Sequence, residues 1–400
     1  MLTLVSAVLS IFAGILCIPV VTLFVEVVFA RAPSRDDFIE KSNEGRCAQA
    51  AIIIPAHNES AGILGTLTDL MRQLSANDRL IVVADNCSDD TAALAASAGA
   101  EVIERNDLVR IGKGYALACG LAHLNDKPPA FVIFIDADCR VQHDMISRLK
   151  FACATFDAPV QACFLMVAAE QSPINHELAE FAWIIKNWAR PLGLLALGFP
   201  VQLMGTGMIF PWKLIRSVVL ASDNLVEDLK LGLDLAAAGH APRFYPQVVG
   251  TSEFPLSTKG TDSQRQRWVQ GHVGMILEEA PGLLLRALTT RNWRLLVLVV
   301  DLMVPPLSLL VFLIIATFLA ALALVLIGAP STAAAIAGAD FVILGCSIFL
   351  SWLKFGQEVI SLRDLALAAL QIWRKLPFYF NLYIGKRATS WVRTDRSKDQ

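Results

Sequence analysis

At 400 residues, with 55% hydrophobic and only 18% charged side chains and a mean hydropathy of +0.54, the chain is too apolar for an ordinary soluble enzyme and too polar for a pure membrane bundle. A formal net charge of −2, with no stripe of basic and aromatic residues, speaks against a nucleic-acid partner. Eight cysteines without C-x-x-C spacing speak against a zinc framework or a disulfide scaffold.

Leu2 to Phe29 is almost wholly apolar, with Glu26 its only charge. It exceeds the roughly 20 residues that span a bilayer. A signal peptide would begin with basic residues, whereas here Arg31 and Arg35 come after the apolar run. Residues 1–30 are therefore expected to form a transmembrane helix, kinked at Pro19, with the N-terminus outside and the chain beyond residue 31 in the cytoplasm. Residues 31–48 are polar and mixed, as in a linker.

From residue 49 the pattern changes to short apolar runs that end in polar residues. Ala50-Ala-Ile-Ile-Ile-Pro55 reads as a buried strand, followed by a loop and a helix from about Gly62 to Leu74. Leu80 to Ala84 is a second strand, ending in Asp85-Asn-Cys-Ser-Asp-Asp-Thr91. There Asp89, Asp90 or Thr91 can cap the alanine-rich helix that comes next. Residues 100–104 form a third predicted strand, Lys113 to His123 a helix, and residues 130–135 a fourth strand. Such alternation predicts an α/β domain over residues 49–280 with a mostly parallel, doubly wound sheet. The strand ends at Pro55, Asp85 and Asp136 then lie along one edge, where open α/β sheets bind ligands. There is no G-x-G-x-x-G, and Gly112-Lys113-Gly114 is too short for a Walker loop.

The fourth strand runs directly into Asp136-Ala-Asp138. Paired carboxylates at a strand end can hold a hard divalent cation, Mg2+ or Mn2+, which in turn holds a diphosphate. The plain alternative is a solvated turn. Further on, Val226-Glu-Asp228 opens an amphipathic stretch, where acids also suit the first turn of a helix. Gln264-Arg-Gln-Arg-Trp268 lies beyond it.

Together Ile54-Pro-Ala-His-Asn-Glu59, Val83 to Thr91, Gly112 to Gly114, Asp136-Ala-Asp138, Val226-Glu-Asp228 and the Q-x-x-R-W segment resemble the family 2 glycosyltransferases. That group contains cellulose, chitin and hyaluronan synthases and many exopolysaccharide glycosyltransferases. The resemblance covers about residues 48–280, with the motifs in the family's order. It implies a GT-A-like fold that uses a UDP-sugar and inverts the anomeric centre. By the same resemblance Pro55, Glu59, Asp85, Lys113, Asp136, Gln264, Arg267 and Trp268 would bind the nucleotide sugar. Asp136 and Asp138 would hold the metal, and Asp228 would be the general base. Gly205, Thr206 and Gly207, with Glu227 and Trp268, would face the acceptor. The ordinary alternatives are a turn between strands for Met204-Gly-Thr-Gly-Met208 and a core position for Trp268. His57 and His272 lie near motifs, but neither is a convincing ligand or base.

Phe181 to Trp188 and Leu192 to Phe199 are unusually apolar, and read either as an interfacial helix where a lipid acceptor docks or as a core helix. Residues 281–385 are expected to supply interfacial helices and about two to three transmembrane helices. Residues 275–294 carry Arg286, Arg291 and Arg294 among apolar positions, as in a helix lying on a membrane. Leu295 to Ile327 reads as one kinked span or a half-span plus a span, broken at Pro305-Pro306, and Ala334 to Leu353 as another span. Residues 362–385 read as interfacial or re-entrant, and 386–400 as a basic cytoplasmic tail.

These features point to a multi-pass enzyme of the inner (plasma) membrane with its catalytic domain in the cytoplasm. So few spans favour single-sugar transfer onto a membrane lipid or lipid-linked saccharide. A processive polysaccharide synthase or a ceramide-type glucosyltransferase is the alternative within the class, and an inactive membrane scaffold the alternative outside it.

Overall fold

The computed structural model of the protein describes residues 1–33, 48–169, 176–221 and 226–370. Most of the expected linker with Cys47, the helix expected beyond residue 370 and the basic tail lie outside the described residues. The chain divides into two compact units. Among the described residues, a helical unit takes Met1–Arg31, Glu177–Gly198 and residues 272–370, and a sheet unit takes the described stretches between them.

In chain order, α1 (Leu2–Phe29) belongs to the helical unit. The sheet unit begins with β1 (Ala50–Ala56), α2 (Ile63–Met71), β2 (Arg79–Asp85), α3 (Thr91–Ser97), β3 (Glu101–Arg105) and α4 (Lys113–His123). It continues with β4 (Phe131–Phe134), β5 (Arg140–Val141), α5 (Met145–Phe156) and β6 (Val160–Val167). The helical unit resumes with α6 (Glu177–Ile184) and α7 (Arg190–Ala196), joined by the π-helical stretch Ile185–Ala189. Back in the sheet unit come β7 (Met208–Pro211), α8 (Trp212–Ile215), α9 (Glu227–Ala237), β8 (Arg243–Glu253) and most of α10 (Thr258–Gly274). The chain then runs through α11 (Ala280–Thr289), α12 (Trp293–Leu302), α13 (Leu307–Leu326), α14 (Thr332–Ser351) and α15 (Leu362–Leu370).

The sheet has the order β3-β2-β1-β4-β7-β6-β8-β5. Its first four strands are parallel, pairing Ile53 with Ile81 and with Phe134. Beyond β4 the sheet is mixed, because β7 runs antiparallel to both β4 and β6 while β6 and β8 are parallel. The mixed open sheet is that of the GT-A fold. Every residue of β1 is buried, as a run of β-branched residues covered on both faces requires. Ile53, Ile81, Val83, Phe134 and Phe210 form one core with Leu117 and Leu121 of α4 and Leu231 and Leu235 of α9. Each such side chain contributes roughly 1.5–3 kcal/mol of burial energy. That core fixes the starts of α4 and α9 relative to the end of β4.

In the helical unit, Leu2–Phe29, Leu307–Leu326 and Thr332–Gly356 are long and apolar enough to cross a membrane. The run from Leu295 to Ile327 is a short helix and a long one, α12 and α13, separated at Met303 to Pro306 where two successive prolines remove two backbone donors. The stretch expected as one amphipathic helix over 275–294 is broken before α12, whose Asn292 side chain accepts from the Leu295 N–H at 3.0 Å. Phe181 and Ile185 pack with Leu23, Val27 and Ile314, so the apolar stretch around them belongs to the helix–helix core of this unit. Lys354 donates to the carbonyls of Val27, Val28 and Ala30 at 2.8, 2.9 and 2.9 Å, capping the C-terminal end of α1. Arg190 joins Glu26 at 2.7 Å to Asp301 at 2.5 Å in a buried triad. A Cβ on Gly193 would overlap the Glu26 carbonyl, so α7 reaches this close to α1 only through glycine.

Candidate active site

Lys113 opens α4 just beyond the parallel strand ends, and its ammonium is the hub of the site. It lies 2.6 Å from Asp136 Oδ1 and 3.5 Å from Glu227 Oε1, and donates to the Gly205 carbonyl at 2.9 Å. Asp136 lies two residues past the end of β4, and Glu227 and Asp228 start α9. Core packing beneath them brings the three acids to one cation. Burial works against the charge on Lys113, but Asp136, Glu227 and Asp228 prevail and raise its pKa. Burial, aided by the Asp228 charge and opposed by Lys113, pushes the Glu227 carboxyl up to about 7.

The loop over this cluster depends on glycine. Gly205 and Gly207 have φ of +90° and +66°, a region open to glycine at little cost. A Cβ on Gly205 would stand 3.3 Å from Asp228 Oδ2 and 3.5 Å from Lys113 Nζ. Between the glycines, Thr206 Oγ1 accepts the Asp136 N–H at 3.0 Å. The buried Gln161 holds the same loop from β6, donating to the Thr206 carbonyl at 2.8 Å and accepting the Met204 N–H at 2.7 Å. Thr66 steadies the Asp136–Asp138 turn from below, donating to the carbonyls of Ala137 and Cys139 at 2.8 and 2.7 Å.

Ligand atoms of Asp136, Asp138 and Cys139 lie within 4.8 Å of one another. Cys139 is a poor candidate for a ligand. Burial pushes its thiol up to about 12, and its sulfur is engaged by Thr206 and Ser252 at 3.3 and 3.1 Å. The remaining donors are two half-buried carboxylates, a hard-oxygen pair that fits Mg2+ or Mn2+.

A second group sits at the ends of β1, β2 and β3. Asp85 is fully buried, with Oδ1 bound by Arg105 at 2.5 Å and by Asn86 at 3.2 Å, while Oδ2 has no hydrogen-bond partner among the described residues. Burial raises the Asp85 pKa, and Arg105 opposes this. Pro55 is buried in β1, and the Glu59 N–H in the loop beyond it donates to Thr91 Oγ1 at 2.8 Å. Asn58 and Asn86 take left-handed φ values of 55° and 50° at the turns after β1 and β2. The Asn58 side chain links these turns by accepting the Ser88 N–H at 2.7 Å. Of the capping candidates, Asp89 serves the start of α3, accepting the Thr91 N–H at 3.1 Å. His57 Nδ1 meets the Asp85 carbonyl at 2.7 Å, a structural tie.

The Q-x-x-R-W segment lies on α10. Gln264 is buried there, Trp268 half-buried, and Arg267 is coupled electrostatically to Glu227. Burial lowers the Arg267 pKa against that attraction. The structure thus gathers Lys113, Asp136, Gly205, Thr206, Glu227 and Asp228 in one place and sets Asp85 in a second cluster. Arg105 and Gln161 are not singled out by the sequence motifs. Gln161 carries a signal, a lone polar residue inside the apolar run from Val160 to Val167. Arg105 carries none, because its role depends on strand register.

The open mixed sheet has the GT-A architecture, with acids and a lysine gathered at the edge of its parallel strands. The description "Glycosyl transferase family group 2" matches residues 131–385, and "Glycosyl transferase family 2" matches residues 51–167. The chain belongs to the family 2 glycosyltransferases. It is similar to the probable glycosyltransferase YdaM of Bacillus subtilis (strain 168), with 25% identity over 257 residues, 60% of this chain. The match spans 58% of the length of that curated relative. Among solved structures, the mannosyltransferase PcManGT from Pyrobaculum calidifontis in complex with GDP-Man and Mn2+ is similar at a TM-score of 0.54 and 15% identity. That match covers 88% of this chain and 98% of the other. Glucosyl-3-phosphoglycerate synthase from Mycobacterium tuberculosis, with Mn2+, UDP and phosphoglyceric acid, matches at a TM-score of 0.36 and 20% identity, over 53% of this chain and 74% of its own.

Proposed function

We propose that the protein transfers a sugar from a nucleoside-diphosphate sugar, UDP-linked in the first instance, to a hydroxyl of a membrane-associated acceptor, with inversion. The observation that carries this reading is the sharing of Lys113 among Asp136, the Gly205 carbonyl and Glu227, with Asp228 alongside. Transfer from a nucleoside diphosphate needs cations at the leaving group and a base at the incoming hydroxyl. Lys113 and Arg267 are the cations of the reading, and Asp228 is its base, taking the acceptor proton as the oxygen attacks the anomeric carbon. Glu227, Gly205, Thr206 and Gly207 line the acceptor side, with Trp268 as a stacking surface. Asp85 reads the nucleobase, with Pro55 and Glu59 beside it and Gln264 supporting the diphosphate.

Asp136 and Asp138 would hold a divalent cation, which when bound neutralises diphosphate charge. The Mn2+ of the PcManGT complex supports that choice. Three helices long and apolar enough to span a bilayer support a membrane-borne acceptor and a multi-pass plasma-membrane location with the sheet unit in the cytoplasm.

The test uses the full chain in lipid with Mn2+ or Mg2+, offered labelled UDP-sugars and GDP-mannose together with a membrane-lipid extract. A single labelled lipid is the expected product. Label in a ladder or polymer would replace single transfer by processive synthesis. Absence of both transfer and metal-dependent nucleotide binding would leave only a scaffold role.

A further inference from the structure

The strand-end cluster around Asp85 is more restrictive than a carboxylate alone would be. Asp85 and Arg105 are register partners on β2 and β3. The Arg105 guanidinium spends one arm on Asp85 Oδ1 at 2.5 Å and the other on the Arg110 carbonyl at 2.6 Å, with Asp107 Oδ2 at 3.3 Å. It lies 5.6 Å from the centre of the Tyr115 ring. The turn it grips is itself braced. Asp107 Oδ1 accepts the N–H groups of Val109 and Arg110 at 3.0 and 2.9 Å, and Asn86 exchanges hydrogen bonds of 2.8 and 3.1 Å with the Asp107 backbone. Oδ1 of Asp85 is therefore committed on two sides, and Oδ2 is a buried acceptor without a partner among the described residues. An unmet buried acceptor is destabilising, and a ligand N–H would recover that loss.

We infer that Arg105 is a positioning residue that leaves Asp85 a single usable oxygen, so that the site selects a nucleobase presenting one ring imide N–H, uracil or thymine, over guanine and cytosine. This inference rests on Asp85 reading the base, as proposed above. Uracil and thymine present one N–H between two carbonyls, and Oδ2 satisfies it. The guanine edge presents N1–H beside an amino group and suits a carboxylate with both oxygens free. Here guanine would leave a donor unmet, and a site that strands a buried polar group discriminates strongly. Cytosine presents an unprotonated ring nitrogen at the corresponding position, acceptor against acceptor. Oδ2 is enclosed, while Asn86 holds Oδ1 and His57 holds the Asp85 backbone carbonyl, so the base reaches Oδ2 by displacing the side chains that cover it.

The experiment is calorimetric titration of the full chain in lipid with Mn2+, using UDP, dTDP, GDP and CDP. UDP and dTDP are expected to bind at least about tenfold more tightly than GDP or CDP. Arg105→Met, which removes the shorter of the two bonds on Oδ1 and leaves only the 3.2 Å bond from Asn86, should weaken UDP binding by about tenfold or more and bring the UDP-to-GDP preference close to one, with Arg105→Lys recovering part of both. In transfer assays the loss should appear more in KM for the donor than in kcat. A purely structural role would lower the melting temperature of Arg105→Met and leave the preference unchanged, and that result overturns the inference. So does wild-type protein that binds GDP as tightly as UDP, which would leave the transferase reading intact. Failure to bind any of the four nucleotides overturns the donor reading as well.

Discussion

Lys150 of α5 and Asp78, in the turn before β2, form an ion pair at 3.0 Å with each side chain only 1% exposed. Asp78 also accepts the Ala50 N–H at 2.8 Å and the Ser75 N–H at 3.0 Å, so the pair fastens the start of β1 to the turn and to α5. Lys150→Met strands a buried carboxylate and should cost about 3–5 kcal/mol of stability. Thermal melting reads the loss directly. Adding Asp78→Asn should restore part of it, because the amide oxygen still accepts the Ala50 N–H while the stranded charge is gone. A single variant as stable as wild type would show the pair to be dispensable.

Asp228→Asn should leave metal-dependent nucleotide binding nearly intact while lowering transfer by at least about 100-fold, the usual contribution of a general base. Asp138→Ala should act earlier and weaken nucleotide binding in the presence of Mn2+ or Mg2+. Binding by calorimetry and transfer by labelled donor separate the two effects. Equal transfer by Asp228→Asn and wild type would remove Asp228 from the role.

The strands around this site are readable in the sequence because β1, β2 and β4 are uninterrupted apolar runs, although β1 continues through Pro55 to Ala56 rather than stopping there. The start and end of α4 coincide with the predicted Lys113 and His123. The second half of the sheet is not legible in the same way. β6 is apolar with no acidic terminus to mark it, β5 has only two residues, and β8 contains Pro246 within its eleven. The meeting of Lys113 with Glu227, 114 positions apart, comes from packing that no local pattern encodes. The pairing of Asp85 with Arg105 likewise needs the β2–β3 register.

Gly205→Ala should damage transfer more than folding. The φ of +90° disfavours alanine, and the new methyl would press on Asp228 Oδ2 at 3.3 Å. A stability loss of about 1–2 kcal/mol should accompany a larger fall in kcat. Melting and steady-state rates on the same preparation test this. Unchanged kcat would separate the loop from the chemistry.

His272, buried with its Nε2 at 2.8 Å from the Leu302 carbonyl, has its pKa lowered to about 4 by burial, with the charges of Lys186 and Arg190 adding to the effect. The unfolded chain takes up this proton near pH 6.5, before the folded one does. Stability from the neutral ring is therefore complete above pH 6.5 and drains away as pH falls towards 4. The total is on the order of 3 kcal/mol. Carboxylates titrate over the same range, so the informative quantity is wild type against His272→Gln. The variant should lose less stability between pH 7 and pH 4.5, and parallel curves would contradict the assignment.

Lys354 caps α1 from the far end of the sequence, and Arg190 and Asp301 close on Glu26 from two further stretches. During synthesis α1 leaves the ribosome more than 300 residues before its cap is made. Glu26 gains its partner Arg190 some 164 residues after it is made, whereas the last carbonyls of α1 wait for Lys354. The cap on α1 is thus supplied by a later-made part of the helical unit. A nascent chain stopped short of residue 354 would hold a first helix without the cap on its last carbonyls.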